Sequence, residues 1–206
     1  LISIRLLRDM GVKDTIQHIR RFGFSADKLA HNLSLALGNA SVTPLQMAAS
    51  YAILANGGYR VTPYFIDRIS QHGETLYQAE PLSNCAKCEH KAPRAISAQN
   101  SYLMYSMMRD VIRQGTATAA RKLKRQDLAG KTGTTNDQRD AWFNGYNQAV
   151  STAVWVGFDD NQKLGQGEVG GRVALPAWID YMAVVLQDIK DQPPKMPYGI
   201  TRVRID

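Results

Sequence analysis

The 206-residue sequence predicts an α/β fold in which a short antiparallel sheet is flanked by helices. Apolar residues recur at helical spacing in the first half of the chain and again near its end. Three strand-like stretches joined by short connections lie between these helical regions, which makes antiparallel neighbours the expected arrangement. With 44% hydrophobic residues the chain can build one sizeable core, and no apolar run approaches the roughly 20 residues that cross a bilayer.

Helices are predicted for the first forty residues, where Gly23 follows the clearest apolar series as a stop signal. The residues of that series are Val12, Ile16, Ile19 and Phe22. A sharper start lies at Thr43, which can cap a helix, with Pro44 in the first turn and Gln46 placed to complete a capping box. This helix should run to Ala55 and end at the glycines of residues 56–58.

The middle of the chain predicts a hairpin followed by a helix. Strands are expected over residues 61–70 and 74–77, around a turn at residues 71–73. Ser97 then begins a helix with one apolar stripe, interpreted as core and not as a set of ligands. The stripe consists of Met104, Met107, Met108, Val111 and Ile112.

The last third predicts the sheet, with strands over residues 127–135, 141–146 and 150–158. A glycine-rich loop then leads to Pro176, after which a final amphipathic helix should cover one face of the sheet. Its apolar positions are Trp178, Tyr181, Met182, Val185 and Ile189. Prolines 193, 194 and 197 should end it, which predicts one unit over residues 1–192 and a proline-rich tail or linker over 193–206.

Positive charge is concentrated in one stretch. The net charge is +7, and residues 84–125 contain nine Lys and Arg against two acidic residues. A solvated basic face and attraction to acidic wall peptides or lipid headgroups both fit this stretch. Nucleic acid is the least favoured partner, because neither an RNA-binding motif nor zinc-finger spacing is present.

Cys85 and Cys88 form a lone C-x-x-C in a polar loop. A metal site would need about four ligands, and the sequence has no second cysteine pair. A small disulfide and two unpaired surface thiols both remain open. A thioredoxin-like role is not favoured, because the pair does not open a helix after a strand.

The segment Ala129-Gly130-Lys131-Thr132-Gly133-Thr134 carries the most chemical information. A phosphate-binding loop would need a glycine where Arg125 stands, so that interpretation fails. The K-T-G element of penicillin-binding proteins and class A β-lactamases fits instead. Lys131 would supply a cation and Thr132 a hydroxyl to a substrate carboxylate, while Gly133 would let a substrate backbone pair with the strand. The backbone N–H of Thr134 would serve as half of an oxyanion hole.

The surrounding sequence closely resembles class A penicillin-binding proteins, the bifunctional glycosyltransferase/transpeptidases, along nearly the whole chain. The segments that carry the resemblance are Ala36-Leu37-Gly38, Val42-Thr43-Pro44-Leu45-Gln46-Met47-Ala48, Ala55-Asn56-Gly57-Gly58, Gly115-Thr116-Ala117, Gly130-Lys131-Thr132-Gly133-Thr134-Thr135-Asn136-Asp137, Asp140-Ala141-Trp142-Phe143, Gly145-Tyr146, Trp155-Val156-Gly157-Phe158-Asp159-Asp160 and Gly170-Gly171. It implies the C-terminal portion of a penicillin-binding/serine β-lactamase-like transpeptidase fold.

The resemblance implies a serine D,D-transpeptidase that cross-links peptidoglycan stem peptides ending in D-Ala-D-Ala and is acylated by β-lactams. It implies the four site residues Lys131, Thr132, Gly133 and Thr134, with no metal or cofactor. The S-x-x-K and S-x-N elements of the family are expected upstream of Leu1, in another part of the same protein, so this chain alone is expected to be inactive. Ser25-Ala26-Asp27-Lys28 fits S-x-x-K by letter but lies too late in the chain.

Three further expectations stay open. A D,D-carboxypeptidase or a β-lactamase would use the same strand but transfer the acyl group to water, and a non-catalytic module that binds the wall or a partner protein is a separate class. Asp137, Asp140 and Trp142 either shape the cleft wall or serve sheet packing and turn capping, which is the favoured interpretation. The resemblance implies a location at the periplasmic face of the inner membrane, with the anchor outside this chain.

Overall fold

The computed structural model describes residues 1–84 and 88–203 and has the predicted α/β architecture. The helices are α1 (Ile2–Met10), α2 (Val12–Arg20), α3 (Pro44–Ala55), α4 (Ala98–Arg113) and α5 (Gly170–Val185). The strands are β1 (Arg68–Gln71), β2 (Glu74–Gln78), β3 (Ala129–Thr134), β4 (Asp140–Tyr146) and β5 (Ser151–Gly157). None of the helices in the described residues is long and apolar enough to span a membrane.

The main sheet has the order β3-β4-β5, and both pairs are antiparallel as predicted. Helix α5 covers one face, where Phe143 and Trp178 meet edge to face with ring centroids 4.9 Å apart. Helices α3 and α4 cover part of the opposite face, around Ile53, Tyr105 and Tyr146. We call these two faces the α5 side and the α3–α4 side; the sheet is the middle layer between them.

The predicted start and end of α3 are confirmed. The Thr43 hydroxyl accepts from the Gln46 N–H at 3.2 Å, and the Gln46 side chain accepts from the Thr43 N–H at 2.9 Å. Gly57 and Gly58 follow the helix with φ of 85° and 105°. Here local chemistry alone defines the element, because cap, first-turn proline and glycine stop all act within a few residues.

The start of α5 differs from the prediction. The helix begins at Gly170 and not after Pro176, which lies inside it. Proline in a helix interior costs about 3 kcal/mol. Packing outweighs this cost, since Leu175, Trp178 and Ile179 are almost fully buried against the sheet while Pro176 faces outward. Tyr181, predicted as core, is 50% exposed.

Three smaller predictions are also corrected. The first hairpin strand covers only Arg68–Gln71; Pro63, which has no N–H for a ladder, lies in the predicted part that stays unpaired. Residues 24–40 contain two short 3₁₀ turns, Ala26–Lys28 and Leu33–Leu37, in place of a helix. Met107 is 58% exposed, whereas Met104 and Met108 pack against the core as predicted. The disulfide and the two-thiol alternatives for Cys85 and Cys88 both stay open, because Cys85 lies outside the described residues.

The segment after α5 lies along α4. The Gln99 side chain donates to the Tyr198 carbonyl at 2.9 Å, and the Arg202 guanidinium donates to the Tyr102 hydroxyl at 3.2 Å. Residues 192–195 and 197 line one side of a cavity of about 300 Å³ against α4. The boundary between residues 192 and 193 stays a prediction.

Candidate active site

Residues Lys131–Thr134 form the outer part of strand β3, at an edge of the sheet. Ala129 and Gly130, which precede them, are buried in the core, and from Lys131 onward the strand reaches the surface. In the described part of the chain, β4 is the only strand that pairs with β3. The K-T-G segment is therefore extended and accessible along one side.

The register shows which backbone groups face the open edge. The Thr135 N–H donates to the Asp140 carbonyl at 3.0 Å, so these residues form a hydrogen-bonded pair. Bonded and non-bonded pairs alternate along an antiparallel ladder, so the next pair, Thr134–Ala141, is non-bonded. The N–H and C=O of Thr134 consequently point away from β4. The same alternation turns the backbone of Thr132 outward.

Lys131 occupies this open edge with its amine. Its Nζ atom donates to the outward carbonyl of Thr132 at 2.9 Å and lies 3.4 Å from the Thr132 hydroxyl. Its side chain starts from the α3–α4 side of the sheet, as that of Ala129 does, and then turns toward the edge. A cation, a hydroxyl and unpaired backbone groups thus lie within one short segment.

The hydroxyls of Thr132 and Thr134 point to the α5 side. The Thr134 hydroxyl accepts from the Gly170 N–H, the first in α5, at 3.1 Å. Because this bond uses a lone pair, the Thr134 proton stays available for donation. The Thr132 hydroxyl lies 2.7 Å from the hydroxyl of Thr116, in the loop after α4.

Two glycines leave room around the strand: Gly170 lets α5 approach it closely, and Gly133 leaves space beside the Trp142 side chain on the other face. A Cβ atom at Gly170 would lie 2.2 Å from the Trp142 carbonyl oxygen and 2.4 Å from that of Gly133. A Cβ atom at Gly133 would lie 3.1 Å from the Trp142 Cβ. Helix α5 and strand β3 are therefore in direct backbone contact behind the open edge, which holds Gly133 and Thr134 in place.

Asp140 and Trp142, considered above as cleft wall, are engaged in structural contacts. Asp140 accepts from the Trp155 indole N–H at 2.8 Å, and its backbone N–H donates to the Thr135 hydroxyl at 2.8 Å. Trp142 packs against Trp155 with ring centroids 6.3 Å apart. Asp137, at φ 61°, forms an exposed ion pair with Lys163. These contacts are of the turn-capping and sheet-packing kind.

Asn144 lies directly opposite Lys131 in the register, with its side chain on the same face. Its carboxamide oxygen is buried and has no hydrogen-bond partner within residues 1–84 and 88–203. An unpaired buried acceptor costs about 1–3 kcal/mol. A donor that approached Lys131 from the α3–α4 side would remove this cost.

The inner end of β3 is held by a cluster that we call the clasp: Arg125, Asp127, Asn147 and Asp191. Arg125 forms a two-point ion pair with Asp127, at 2.9 and 2.8 Å, and donates to the carbonyls of Leu186, Ile189 and Lys190 after α5. The Asp191 carboxylate accepts from the N–H groups of residues 126 and 127. The clasp ties the end of α5 to the start of β3.

Burial by itself would raise the pKa of Asp127, but hydrogen bonds from Arg125 and Asn147 outweigh it and hold the pKa below its ordinary value of 3.8. The same pair raises the pKa of Arg125 above its ordinary value. Tyr105 adds a further bond, from its hydroxyl to the Gln126 carbonyl at 3.0 Å, and burial raises the pKa of this hydroxyl to about 12. All of these groups keep the protonation states that the clasp requires near neutral pH.

The Ser25-Ala26-Asp27-Lys28 segment does not join the site. The Ser25 hydroxyl donates to the Asp27 carboxylate, and Ser25 lines a small cavity with Lys28, Val42 and Gln46. No residue of β3 lines that cavity. A serine held by a carboxylate, away from Lys131, has none of the activation that an acyl-forming nucleophile needs.

The basic stretch of residues 84–125 is only partly a solvated face. Arg125 is 12% exposed in the clasp, Arg94 lies over the Tyr59 ring at 4.1 Å, and Lys122 is 3.5 Å from Asp180. Arg109 lies over the Tyr105 ring at 5.7 Å. Four of the nine positively charged residues therefore have a partner within the chain, although one of these pairs, Lys122–Asp180, is itself exposed.

Two residues beside the K-T-G segment were not predicted as part of the site, Thr116 and Gly170. The sequence contained a signal for each, since Gly115-Thr116-Ala117 and Gly170-Gly171 both belong to the segments that carry the family resemblance. Neither segment indicates which residue of β3 it contacts. Only the packing of the loop after α4 and of α5 against β3 brings them to Thr132 and Thr134.

Comparison with known proteins gives one consistent result. Residues 9–177 match the sequence profile of the penicillin-binding protein transpeptidase domain. Penicillin-binding protein 1A of Pseudomonas aeruginosa is 43% identical, over 100% of this chain and 30% of the relative. Penicillin-binding protein 1A of Neisseria lactamica is 47% identical over 97% of this chain and 25% of the relative. The chain thus spans 25–30% of the length of these curated relatives.

Among solved structures, the crystal structure of penicillin-binding protein 1A from Haemophilus influenzae superposes with a TM-score of 0.92 at 35% sequence identity. The match covers 100% of this chain and 35% of that structure. The arrangement of helices α1 to α5 around the sheet is therefore similar to that of a solved relative along the whole described chain.

Proposed function

Because the chain belongs to the penicillin-binding protein transpeptidase family, we propose that it forms the substrate-binding strand of a serine-type peptidoglycan D,D-transpeptidase. One observation carries the proposal: the open edge of β3 combines a cation, two threonine hydroxyls and an outward backbone N–H within four residues. Each of these groups has a partner in a peptide that ends in D-Ala-D-Ala.

The carboxylate end of the substrate is the first such partner. The Lys131 amine supplies positive charge, and the hydroxyls of Thr132 and Thr134 supply neutral donors, which together match a terminal carboxylate. β-Lactams carry a carboxylate in the corresponding place, so they are proposed to occupy the same groups. Neither of these two binding interactions requires a metal or a cofactor.

The substrate backbone is the second partner. An extended peptide can add to the unpaired edge of β3, and the absence of a side chain at Gly133 leaves room for it. The Thr134 N–H then points at the carbonyl oxygen under attack. One such donor in an oxyanion hole typically lowers the reaction barrier by about 3–4 kcal/mol.

The serine nucleophile is proposed to come from residues outside this chain, in an S-x-x-K element with an S-x-N partner. It would approach the α3–α4 side of β3, from which the Lys131 side chain starts and on which Asn144 has its unpaired oxygen. The acyl group passes from the substrate to the serine as D-Ala leaves, and then to an amine of a neighbouring strand. The complete protein would work at the periplasmic face of the inner membrane, with its anchor outside this chain.

The test uses a protein of the relatives' full length that contains this chain, incubated with wall stem peptides. A transpeptidase forms cross-linked dimer and releases D-Ala, whereas a carboxypeptidase releases D-Ala without dimer and a β-lactamase rapidly hydrolyses penicillin. Penicillin should block dimer formation, and Lys131→Ala should abolish most of it. Absence of penicillin labelling in the wild-type protein would refute the enzyme assignment and leave the binding-module alternative.

A further inference from the structure

Thr116 is exposed beside the K-T-G segment and has no role in the proposed function so far. It lies three residues after α4, and its Oγ1 atom is 2.7 Å from the Oγ1 atom of Thr132, which is 16 residues later in the chain. In the proposed function, the Thr132 hydroxyl donates to the carboxylate of the substrate. Thr116 is thus one hydrogen bond away from a proposed ligand contact.

The backbone around Thr116 is tightly fixed. The N–H groups of Gly115 and Ala117 both donate to the Val111 carbonyl, at 3.1 and 3.0 Å, and Ala117 is fully buried. On the other side, a Cβ atom at Gly171 would lie 2.9 Å from the Thr116 carbonyl oxygen. The Thr116 hydroxyl is therefore presented to Thr132 from a backbone with little freedom to move.

The hydrogen-bond capacity of Thr132 decides what this contact can do. A threonine hydroxyl has one proton to donate and two lone pairs that accept. The Lys131 amine, 3.4 Å away, can only donate to Thr132 Oγ1. If Thr116 donates as well, both lone pairs of Thr132 are occupied, and its single proton can point only into the cleft.

We propose that Thr116 is a positioning residue that donates to Thr132 and so orients the Thr132 proton toward the substrate carboxylate. The inference rests on the proposed function and deepens it. The hydroxyl of Thr134 is oriented in the same way by a different donor, the Gly170 N–H. Two hydroxyls on the same strand thus each accept from a fixed donor behind them and keep a proton for the ligand.

The experiment measures penicillin acylation in a full-length protein that contains this chain, with the binding step and the covalent step resolved. Thr116→Val should weaken the non-covalent complex about tenfold, with little change in the acylation rate constant at saturation. Thr116→Ser should restore binding, because it keeps the hydroxyl. Thr118→Val is the matched control, since the Thr118 hydroxyl has no hydrogen bond within the described residues.

Two further arms separate positioning from direct contact. The methyl ester of the same penicillin lacks the carboxylate charge, so Thr116→Val should not change its binding. In a Thr132→Val background, Thr116→Val should also have no added effect, because the group that it orients is gone. A loss that persists in either arm would show that Thr116 contacts the ligand itself, and an unchanged Thr116→Val single variant would also overturn the inference. If the wild-type protein is not labelled at all, it is the proposed function that fails.

Discussion

The two ends of strand β3 differ sharply in how their polar groups are satisfied. At the inner end, Asp127 is 1% exposed and bonded to Arg125 and Asn147, and the adjacent backbone N–H groups are bonded to Asp191. At the outer end, five and seven residues further on, the backbone of Thr132 and Thr134 faces an open edge. One strand thus combines a closed anchor with an outer segment whose backbone is unpaired on one side.

This difference shows how a site can keep unpaired groups without losing its geometry. Unpaired backbone groups at a sheet edge invite pairing with any available strand. Here the clasp fixes the start of β3, and Gly170 packs against Gly133 and Trp142 from behind. The open groups can therefore stay aligned for a ligand while the rest of the strand carries the stability.

The largest effect is expected at the closed end. Asp127→Ala would leave the mostly buried Arg125 guanidinium with its carbonyl contacts but without a negatively charged partner, and breaking such a pair costs about 3–5 kcal/mol. The matched control is Asp180→Ala, which breaks the exposed contact with Lys122 and should cost less than about 1 kcal/mol. Urea denaturation of both variants provides the measurement. If both variants lose the same unfolding free energy, the clasp contributes no more to stability than a surface ion pair.

The clasp also predicts a pH dependence. The folded-state pKa of Asp127 is lowered, so its contribution to stability is complete above its ordinary value of 3.8 and is lost as the pH falls through the lowered value. Asp127→Asn removes this titration. Urea midpoints between pH 2 and pH 6 should therefore fall less steeply toward acid in Asp127→Asn than in the wild-type protein, and parallel curves would contradict the assignment.

At the open end the expected effect is on activity and not on stability. Lys131→Ala removes the cation at the edge and should slow penicillin acylation about 10²- to 10³-fold, the size typical of losing one electrostatic group in an active site. Its thermal unfolding should shift little, because the side chain is exposed. Lys163→Ala, which loses a similarly exposed lysine paired with Asp137, should acylate at the wild-type rate.

The contact between the two regions is tested at Gly170. The Cβ atom in Gly170→Ala would meet the carbonyl oxygens of Trp142 and Gly133, and overpacking of this kind costs about 1–3 kcal/mol. Because the strand must move, acylation should fall as well. Arg172→Ala, on the exposed face of the same turn, should change stability by less than about 0.5 kcal/mol. Wild-type acylation in Gly170→Ala would show that α5 does not position the strand.

The smallest effect is expected away from β3, at the capping box of α3. Thr43→Ala removes the cap and should cost about 1 kcal/mol, while Thr43→Ser should retain most of the stability. Denaturant midpoints measure both variants. Penicillin acylation should stay unchanged in either variant, which would confirm that the site depends on β3 and its immediate supports.

Elements defined by local chemistry could be predicted from the sequence. The capping box at Thr43 and the three strands with short connections depend on residues close together in the chain. The start of α5 could not, because Pro176 is a strong local stop signal, whereas the close packing of Gly170 against β3 and β4 is visible only in three dimensions. Packing of this kind overrides local preference.

The same distinction applies to the site. The K-T-G segment could be found in the sequence because its four residues are contiguous. Which of its backbone groups face the open edge depends on the register with β4, and the Thr116–Thr132 contact depends on how the loop after α4 packs on the sheet. Neither is a property of one segment, so neither could be predicted from the motif alone.

In the proposed complex, the outward edge of β3 holds the acyl group and the carboxylate of the ligand. A crystal structure of the penicillin acyl-enzyme, in a full-length protein that contains this chain, would show both contacts. We expect the acyl carbonyl oxygen about 3 Å from the Thr134 N–H nitrogen and the carboxylate at the hydroxyls of Thr132 and Thr134. An acyl group bound away from this edge, with Lys131–Thr134 still open to solvent, would contradict the proposal.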